Sequence, residues 1–272
     1  MHDTASIVLP VHHLSIQSRF LERLVKVDFF LPPAGQSGPA SLLLINDGQD
    51  MATMNFEQIL RKLYNAKSIQ PLICCAIHAG TERRMEYGTQ FVPDYKSRGI
   101  KAALYNSFVF DELLPLAEEK FNGGSRFREK AFAGFSLGGL SALDIVWNRP
   151  GEFTRAGVFS ASLWWRSLDQ EDPSYDDEQH RIMHQQVRIG SYAPWLKFFF
   201  QCGALDETKD RNNNGIIDSI DDTMDLIREL ENKGYRKGVD IEYLELPDGR
   251  HDVFTWGRAM PLFLQWGWPA TN

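Results

Sequence analysis

KAFAGFSLGGLSALDIVW, residues 130–147, is the stretch on which the reading of this chain turns. A short apolar run ends at Ala133. Gly134-Phe135-Ser136-Leu137-Gly138 then matches G-x-S-x-G, and a helical pattern follows at once. Strand, tight turn and helix in that order are the setting a nucleophile elbow requires. The serine is held there in a strained backbone conformation, and glycines on either side leave no Cβ to clash across the turn. The helix N-terminus beside it offers free N–H groups and a positive dipole end to a developing oxyanion. The same pentapeptide also occurs as an ordinary Gly/Ser turn, so its weight comes from its place between a strand and a helix.

Outward from the elbow, short apolar runs alternate with helix-patterned segments. Strands are expected at residues 24–31, 41–46, 71–78, 130–133, 157–160, 195–201 and 239–246, and helices at 55–64, 101–121, 137–148, 219–233 and 253–266. Several strands read as continuous apolar runs, as strands covered on both faces do. The alternation predicts an α/β fold with a mostly parallel, doubly wound sheet and helices on both faces. Runs 24–31 and 41–46, joined by the turn-rich PPAGQSGPA, read as an antiparallel hairpin forming an N-terminal sheet edge. No linker marks a second domain, so residues 1–272 are expected to form one.

The bulk composition narrows the function. With 29 basic and 36 acidic side chains the net charge is −7, and no Lys/Arg cluster provides the footprint of a nucleic-acid binder. No apolar run reaches the roughly 18 residues of a membrane span. The N-terminus MHDTASIVLPVHH carries neither a basic nor an apolar leader region, which predicts a cytoplasmic protein, or a periplasmic or secreted one if a leader has been removed. Cys74, Cys75 and Cys202 lie in apolar runs and read as small hydrophobes rather than a disulfide or metal framework.

A nucleophilic serine needs a base, and the base an orienting carboxylate. In the α/β-hydrolase fold the chain order is Ser, acid, His. After Ser136 the histidines are His180, His184 and His251. The first two fall in the polar segment SLDQEDPSYDDEQHRIMHQQ and are expected at the surface. His251, in LPDGRHDVF between the last strand and the last helix, is placed as the base requires. The run WLKFFFQCGALDET ends its strand near Gly203, with Asp206 three residues on as the acid and Glu207 as its rival. For the oxyanion, the strand-then-turn LLLINDGQDM offers the Gln49 amide or its neighbour, together with the amide of Leu137.

At this point the chain resembles the putative esterase (esterase D-like) family of α/β-hydrolases, in particular its enterochelin-esterase-like branch. The matching stretches run from about Leu24 to Trp266. LLLINDGQD resembles the family's strand and DG turn. ICCAIHAGTERRMEYG resembles its strand followed by an Arg-x-x-Glu-Tyr-type segment, placed at Arg84-Met85-Glu86-Tyr87. FVFDELLPLAEEKF, AGFSLGGL, VFSASLWW, CGALD and GRHDVFTW follow in family order. The resemblance implies a Ser136–Asp206–His251 triad acting on a small-molecule ester, with no organic cofactor. Family substrates include siderophore trilactones, feruloyl and acetyl sugar esters and small thioesters, and some members transfer acyl groups. Arg84 reads either as a ligand for an acidic or catecholate group or as a structural residue. Trp164 and Trp165 either wall the pocket or pack in the core, and His78, at a strand end, reads as a lining residue. Oligomeric state is not legible.

One segment goes beyond the family pattern. Residues 210–221 fit D-x-[DN]-x-[DN]-G, with Asp210, Asn212, Asn214, Ile216, Asp218 and Asp221 at ligand positions and Gly215 at the sharp turn. That reads as a structural calcium loop, against the alternative of an Asn/Gly-rich turn capping a helix. Residues 167–193 form a polar excursion with the position of a lid. An acyltransferase with the same triad, or a binding protein on a hydrolase scaffold, are the competing functions.

Overall fold

Along the third strand of the chain, Leu42 and Leu44 point to one side and Leu43 and Ile45 to the other, and all four are fully buried. A strand apolar on both faces must sit inside a sheet with helices above and below. The computed structural model describes residues 8–34 and 40–270. In it, β1 (Val11–Ser18), β2 (Arg23–Phe30), β3 (Ser41–Asn46), β4 (Leu72–Ile77), β5 (Lys130–Phe135), β6 (Arg155–Phe159), β7 (Lys197–Leu205) and β8 (Ile241–Arg250) form one sheet in the order β1-β2-β4-β3-β5-β6-β7-β8. Pairing is parallel from β4 through β8 and antiparallel at the β1-β2-β4 edge.

The helices are α1 (Met51–Met54), α2 (Phe56–Asn65), α3 (Arg83–Glu86), α4 (Ala102–Phe108), α5 (Leu114–Phe121), α6 (Leu137–Asn148), α7 (Asp177–His180), α8 (Ile182–Ile189), α9 (Asp218–Lys233) and α10 (Val253–Gly267). One sheet face is covered by apolar residues of α4, α5, α6, α8 and α9, the other by those of α1, α2 and α10. The expected doubly wound sheet is therefore present, with its antiparallel edge at the N-terminus. None of the described helices is long and apolar enough to cross a membrane. Cys74, Cys75 and Cys202 are free and buried.

The expected 24–31/41–46 hairpin is not formed. β2 pairs with β1 and β4, whereas β3 lies between β4 and β5, parallel to both. The cause is the two-sided burial of β3, which demands a central position, so the chain crosses over instead of turning back. Of the connecting PPAGQSGPA, residues 35–39 lie outside the described residues. The true hairpin partner, β1, was hidden by its half-exposed pattern. The single helix expected over 101–121 is divided by a π-turn at Val109–Leu113, next to Pro115, which has no N–H to continue the α-helical ladder. The 167–193 excursion carries α7 and α8, and His184 is not at the surface but 1% exposed. Its Nε2 donates to the Asp222 carbonyl at 2.8 Å, and burial pushes its pKa down to about 3.

Candidate active site

Every candidate catalytic side chain comes from a loop at the carboxyl end of a parallel strand, the end at which open α/β sheets place their sites. Ser136 joins β5 to α6 at φ 54°, ψ −123°, a conformation L residues rarely adopt. A Cβ on Gly134 would lie 2.2 Å from the Gly138 carbonyl oxygen, so the turn closes only with glycine there. The Ser136 N–H donates to the Phe159 carbonyl at 2.9 Å, tying the elbow to β6. Leu137 opens α6, where helix N–H groups have no intrahelical acceptor.

The second candidate oxyanion element lies after β3. Asp47, 2% exposed, takes a left-handed conformation (φ 63°, ψ 48°) and starts the turn Gly48–Asp50 that carries Gln49. Several contacts lock this turn against the elbow. Asn46 Nδ2 donates to the Gly138 carbonyl at 2.8 Å, and Asn46 Oδ1 accepts from Tyr105 Oη at 2.5 Å. Arg83 grips the Asp47 carboxylate with both arms, Nε at 2.6 Å and Nη2 at 2.7 Å, and Nη2 also reaches the Phe135 carbonyl at 3.4 Å. Gln49 Nε2 donates to Asp47 Oδ1 at 3.1 Å, and its Oε1 accepts the Ala79 N–H at 3.0 Å.

Asp206 and His251 approach through a pair of glycines. A Cβ on Gly203 would stand 2.5 Å from the Gly249 carbonyl, so β7 and β8 meet closely and carry the Asp206 loop to the His251 loop. The Gly203 N–H donates to Asp206 Oδ2 at 3.1 Å, while Oδ1 is buried without a partner among the described residues. Burial raises the Asp206 pKa against the lowering pull of the Gly203 N–H, the Ser160 hydroxyl and the His251 ring. His251 keeps an open face to solvent, yet desolvation of the remainder holds it below its usual value, against the pull of Asp206 and with the Arg83 charge acting in the same direction. Its ring stands edge-on to Trp256, centroids 5.3 Å apart, and Trp256 stacks on Phe135, the residue before Ser136, at 5.0 Å. Trp256 Nε1 also donates to the buried Ser160 Oγ at 3.1 Å. Neither the Ser136 hydroxyl nor the His251 ring is hydrogen-bonded among the described residues; catalytic hydrogen bonds commonly tighten only once substrate is in place.

Other expected residues fall in varied settings. Trp165 is fully buried, its Nε1 donating to Thr89 Oγ1 at 3.1 Å. Trp164 is half-buried under the Arg98 guanidinium, 4.8 Å from its ring, and lines a cavity. His78 Nε2 donates to Asp28 Oδ2 at 2.6 Å and borders a second cavity of about 380 Å³ with Gly48 and Gln49. Arg84 is exposed. The Arg-x-x-Glu-Tyr spacing in fact begins one residue earlier, and each of its members has a task. Arg83 clamps Asp47, Glu86 is buried against Arg23 at 2.6 Å, and Tyr87 Oη accepts the Asp47 N–H at 3.3 Å. Counting that spacing correctly would have singled out Arg83 from sequence. Asp47 and Ser160 carried no such signal.

The 210–221 loop closes on itself. Asp210 accepts the N–H groups of Asn214 and Gly215, and Asp221 accepts both Asn212 and Asn214 amides. Asp218 Oδ1 is occupied by the Arg211 N–H at 2.8 Å and lies 3.3 Å from its guanidinium. Among the described residues no group of three or more His, Cys, Asp or Glu side chains is placed to hold a metal ion.

Comparison with solved structures gives the same fold at low identity. The enterochelin esterase from Shigella flexneri aligns with TM-score 0.70 and 21% identity over 94% of this chain, which spans 58% of that protein's length. A ferulic acid esterase aligns with TM-score 0.68 and 18% identity, covering 96% of this chain and 97% of its own. The siderophore hydrolase EstB from Aspergillus nidulans aligns over the whole of both chains with TM-score 0.66 and 18% identity. The architecture is thus the α/β-hydrolase fold. No curated protein matches the sequence. A family model described as Putative esterase matches residues 18–265, which is most of the chain. The chain belongs to the Putative esterase family.

Proposed function

We propose that this protein hydrolyses carboxylic esters of small molecules through an acyl-enzyme on Ser136. The observation that carries the reading is the strained Ser136 at φ 54° between β5 and α6, at the same sheet end as the Asp206 and His251 loops. His251 takes the Ser136 proton as the hydroxyl attacks the ester carbonyl and returns it to the leaving alcohol. Asp206 stabilises the imidazolium, with its unpartnered Oδ1 available to the ring N–H. The Leu137 and Gln49 amides hold the oxyanion. Water, deprotonated by His251, then releases the acid. The lowered His251 pKa keeps the base neutral at pH 7. Membership of an esterase family supports the reaction class.

The test is hydrolysis of short-chain p-nitrophenyl esters by the wild type and Ser136→Ala, with fluorophosphonate labelling beside it. Loss of at least about 10³-fold in kcat and of the label is expected for Ser136→Ala. Asp206→Asn should fall steeply while Glu207→Gln stays near wild type; the reverse order would reassign the acid. Undiminished turnover in Ser136→Ala would overturn the mechanism.

A calcium ion in the 210–221 loop would, in this reading, stiffen the segment that leads from Asp206 into α9 and take no part in chemistry. It is checked by thermal unfolding in calcium and in chelator. A rise in midpoint with calcium is expected, and coincident curves would remove the ion from the account.

A further inference from the structure

A two-lobed cavity that the proposed chemistry leaves unused reaches Glu207, the residue after Asp206. Its outer lobe, about 600 Å³, is walled by Tyr95, Lys96, Arg166 and Lys209 with acidic neighbours in equal number to the basic ones. Its inner lobe, about 230 Å³, adds Trp164, Arg98 and Glu207. Two links tie the inner lobe to the candidate active site. Trp164 lies two residues past Ser162, whose N–H donates to the Ser136 carbonyl at 3.1 Å, and Glu207 follows Asp206 directly.

The inner lobe carries an excess of positive charge. Lys96, Arg98, Arg166, Lys209 and Arg211 face only Glu207 and Asp218. Arg98 is committed to Asp94, and Arg211 to Asp177, Asp218 and Asp222. Lys96, Arg166 and Lys209 have no carboxylate at ion-pair distance among the described residues. The Arg166 guanidinium makes one hydrogen bond among the described residues, from Nη1 to the neutral Gln170 Oε1 at 2.6 Å, and lies over the Tyr175 ring, 5.6 Å from its centroid. Nη2, which is not buried and has no hydrogen bond among the described residues, is the donor that an anion in the lobe would meet. Glu207 lines the same lobe but is at ion-pair distance from none of these cations among the described residues. The walls beside these cations are the rings of Trp164 and Tyr95.

We propose that the inner lobe is a subsite for an aromatic carboxylate, the ring lying against Trp164 and the carboxylate meeting Arg166, Lys209 and Lys96, so that the preferred esters carry such a group away from the scissile bond. The guanidinium fork suits a planar carboxylate, and charge-assisted hydrogen bonds are the strong ones. The proposal rests on the reading of Ser136 as an esterase nucleophile, and names the substrate class for that same site.

The experiment compares kcat/KM for monomethyl terephthalate with that for methyl 4-acetylbenzoate, a neutral ester of similar shape. The ratio is expected to favour the anionic ester in the wild type and to fall about tenfold in Arg166→Gln. Lys209→Gln, at an exposed position, should lower it severalfold, and Arg228→Gln, which removes the same charge from the outer surface of α9, should leave it at the wild-type value. A ratio near one in the wild type, or one unmoved by both cavity substitutions, overturns the subsite while leaving the esterase reading intact. If neither ester is turned over, the esterase reading is what fails, and the subsite is then decided by calorimetric titration with terephthalate. Binding weakened about tenfold in Arg166→Gln supports it, and absence of binding to the wild type overturns it.

Discussion

At the scale of single residues, the Arg83–Asp47 pair connects sequence, geometry and proposed chemistry. Asp47 is buried in a left-handed backbone conformation just before the Gly48–Asp50 turn, the candidate oxyanion element, and a two-armed guanidinium at 2.6 and 2.7 Å satisfies its carboxylate. Burial is the main cause of the lowered His251 pKa, and the charge of the same guanidinium acts in the same direction. Arg83→Lys therefore tests two effects at once, because an ammonium replaces a fork with a point charge. With one arm lost, the Gly48–Asp50 turn is less firmly set, and if that turn holds the oxyanion as proposed, kcat for a p-nitrophenyl ester is expected to fall about 10–100-fold with KM changing little. Arg83→Met removes the charge as well. Its acidic limb in the pH profile of kcat/KM should move to higher pH, since His251 loses a repelling cation and titrates later. Only the bare carboxylate of Asp47 would then remain buried, so lower stability is expected too, by roughly 3–5 kcal/mol. A merely structural Arg83 would change stability without shifting the limb, and an unmoved limb would sink the electrostatic half of the argument.

Among the elements, the 167–193 excursion behaves as part of the body. Arg181, 3% exposed, reaches Asp222 at 2.8 Å and Asp225 at 2.6 Å on α9, and Arg188 pairs with Glu229 further along the same helix. Arg211 from the 210–221 loop joins at Asp222, 2.7 Å away. α7 and α8 are thus fastened to α9 through buried charge. Removing one partner strands the other, so Arg181→Met is expected to cost about 3–5 kcal/mol, read as a lower urea midpoint. A change below about 1 kcal/mol would mean that Arg211 alone suffices for Asp222. None of this was legible beforehand, because the pairing joins residues some 40 positions apart and the segment's charge resembled a solvated surface. The strands and helices with strong periodicity were legible: β3 and α6 lie where their patterns put them. β1, with its half-exposed alternation, and the partner of β2 were not, since strand pairing depends on what the other strands leave free. In the candidate site the elbow was legible because a strained turn demands glycines at fixed offsets. Asp47 and Ser160 were not, since a lone Asp or Ser announces nothing until its neighbours in space are known.

Over the whole molecule, two buried groups on the same sheet face titrate in opposite senses. His184 is neutral in the native state with a pKa of about 3, lowered by burial and by the Arg181 charge. Asp144 in α6 is raised to about 7 by burial, against hydrogen bonds from the Gln90 N–H and Asn148. For His184 the folded pKa is depressed, so its contribution is present above the unfolded pKa near 6.5 and is lost as pH falls toward 3. For Asp144 the folded pKa is raised, so its contribution is full below the unfolded value near 3.9 and is lost as pH rises toward 7. Between about pH 4.5 and 6 the unfolded chain holds one proton more at His184 and one fewer at Asp144, and the two slopes cancel. Single substitutions should uncover them. Relative to wild type, the unfolding free energy of His184→Gln is expected to fall with rising pH by about 1.4 kcal/mol per unit, and that of Asp144→Asn to rise by as much. Urea titrations at three pH values in that window are enough to read both slopes. If either variant runs parallel to wild type, the group it replaces is not held in the protonation state assigned to it. Under the proposed mechanism ester hydrolysis should follow neither slope, because its acidic limb would be set by His251, just past the carboxyl end of β8, and a limb that moved in His184→Gln would tie the core to the proposed site.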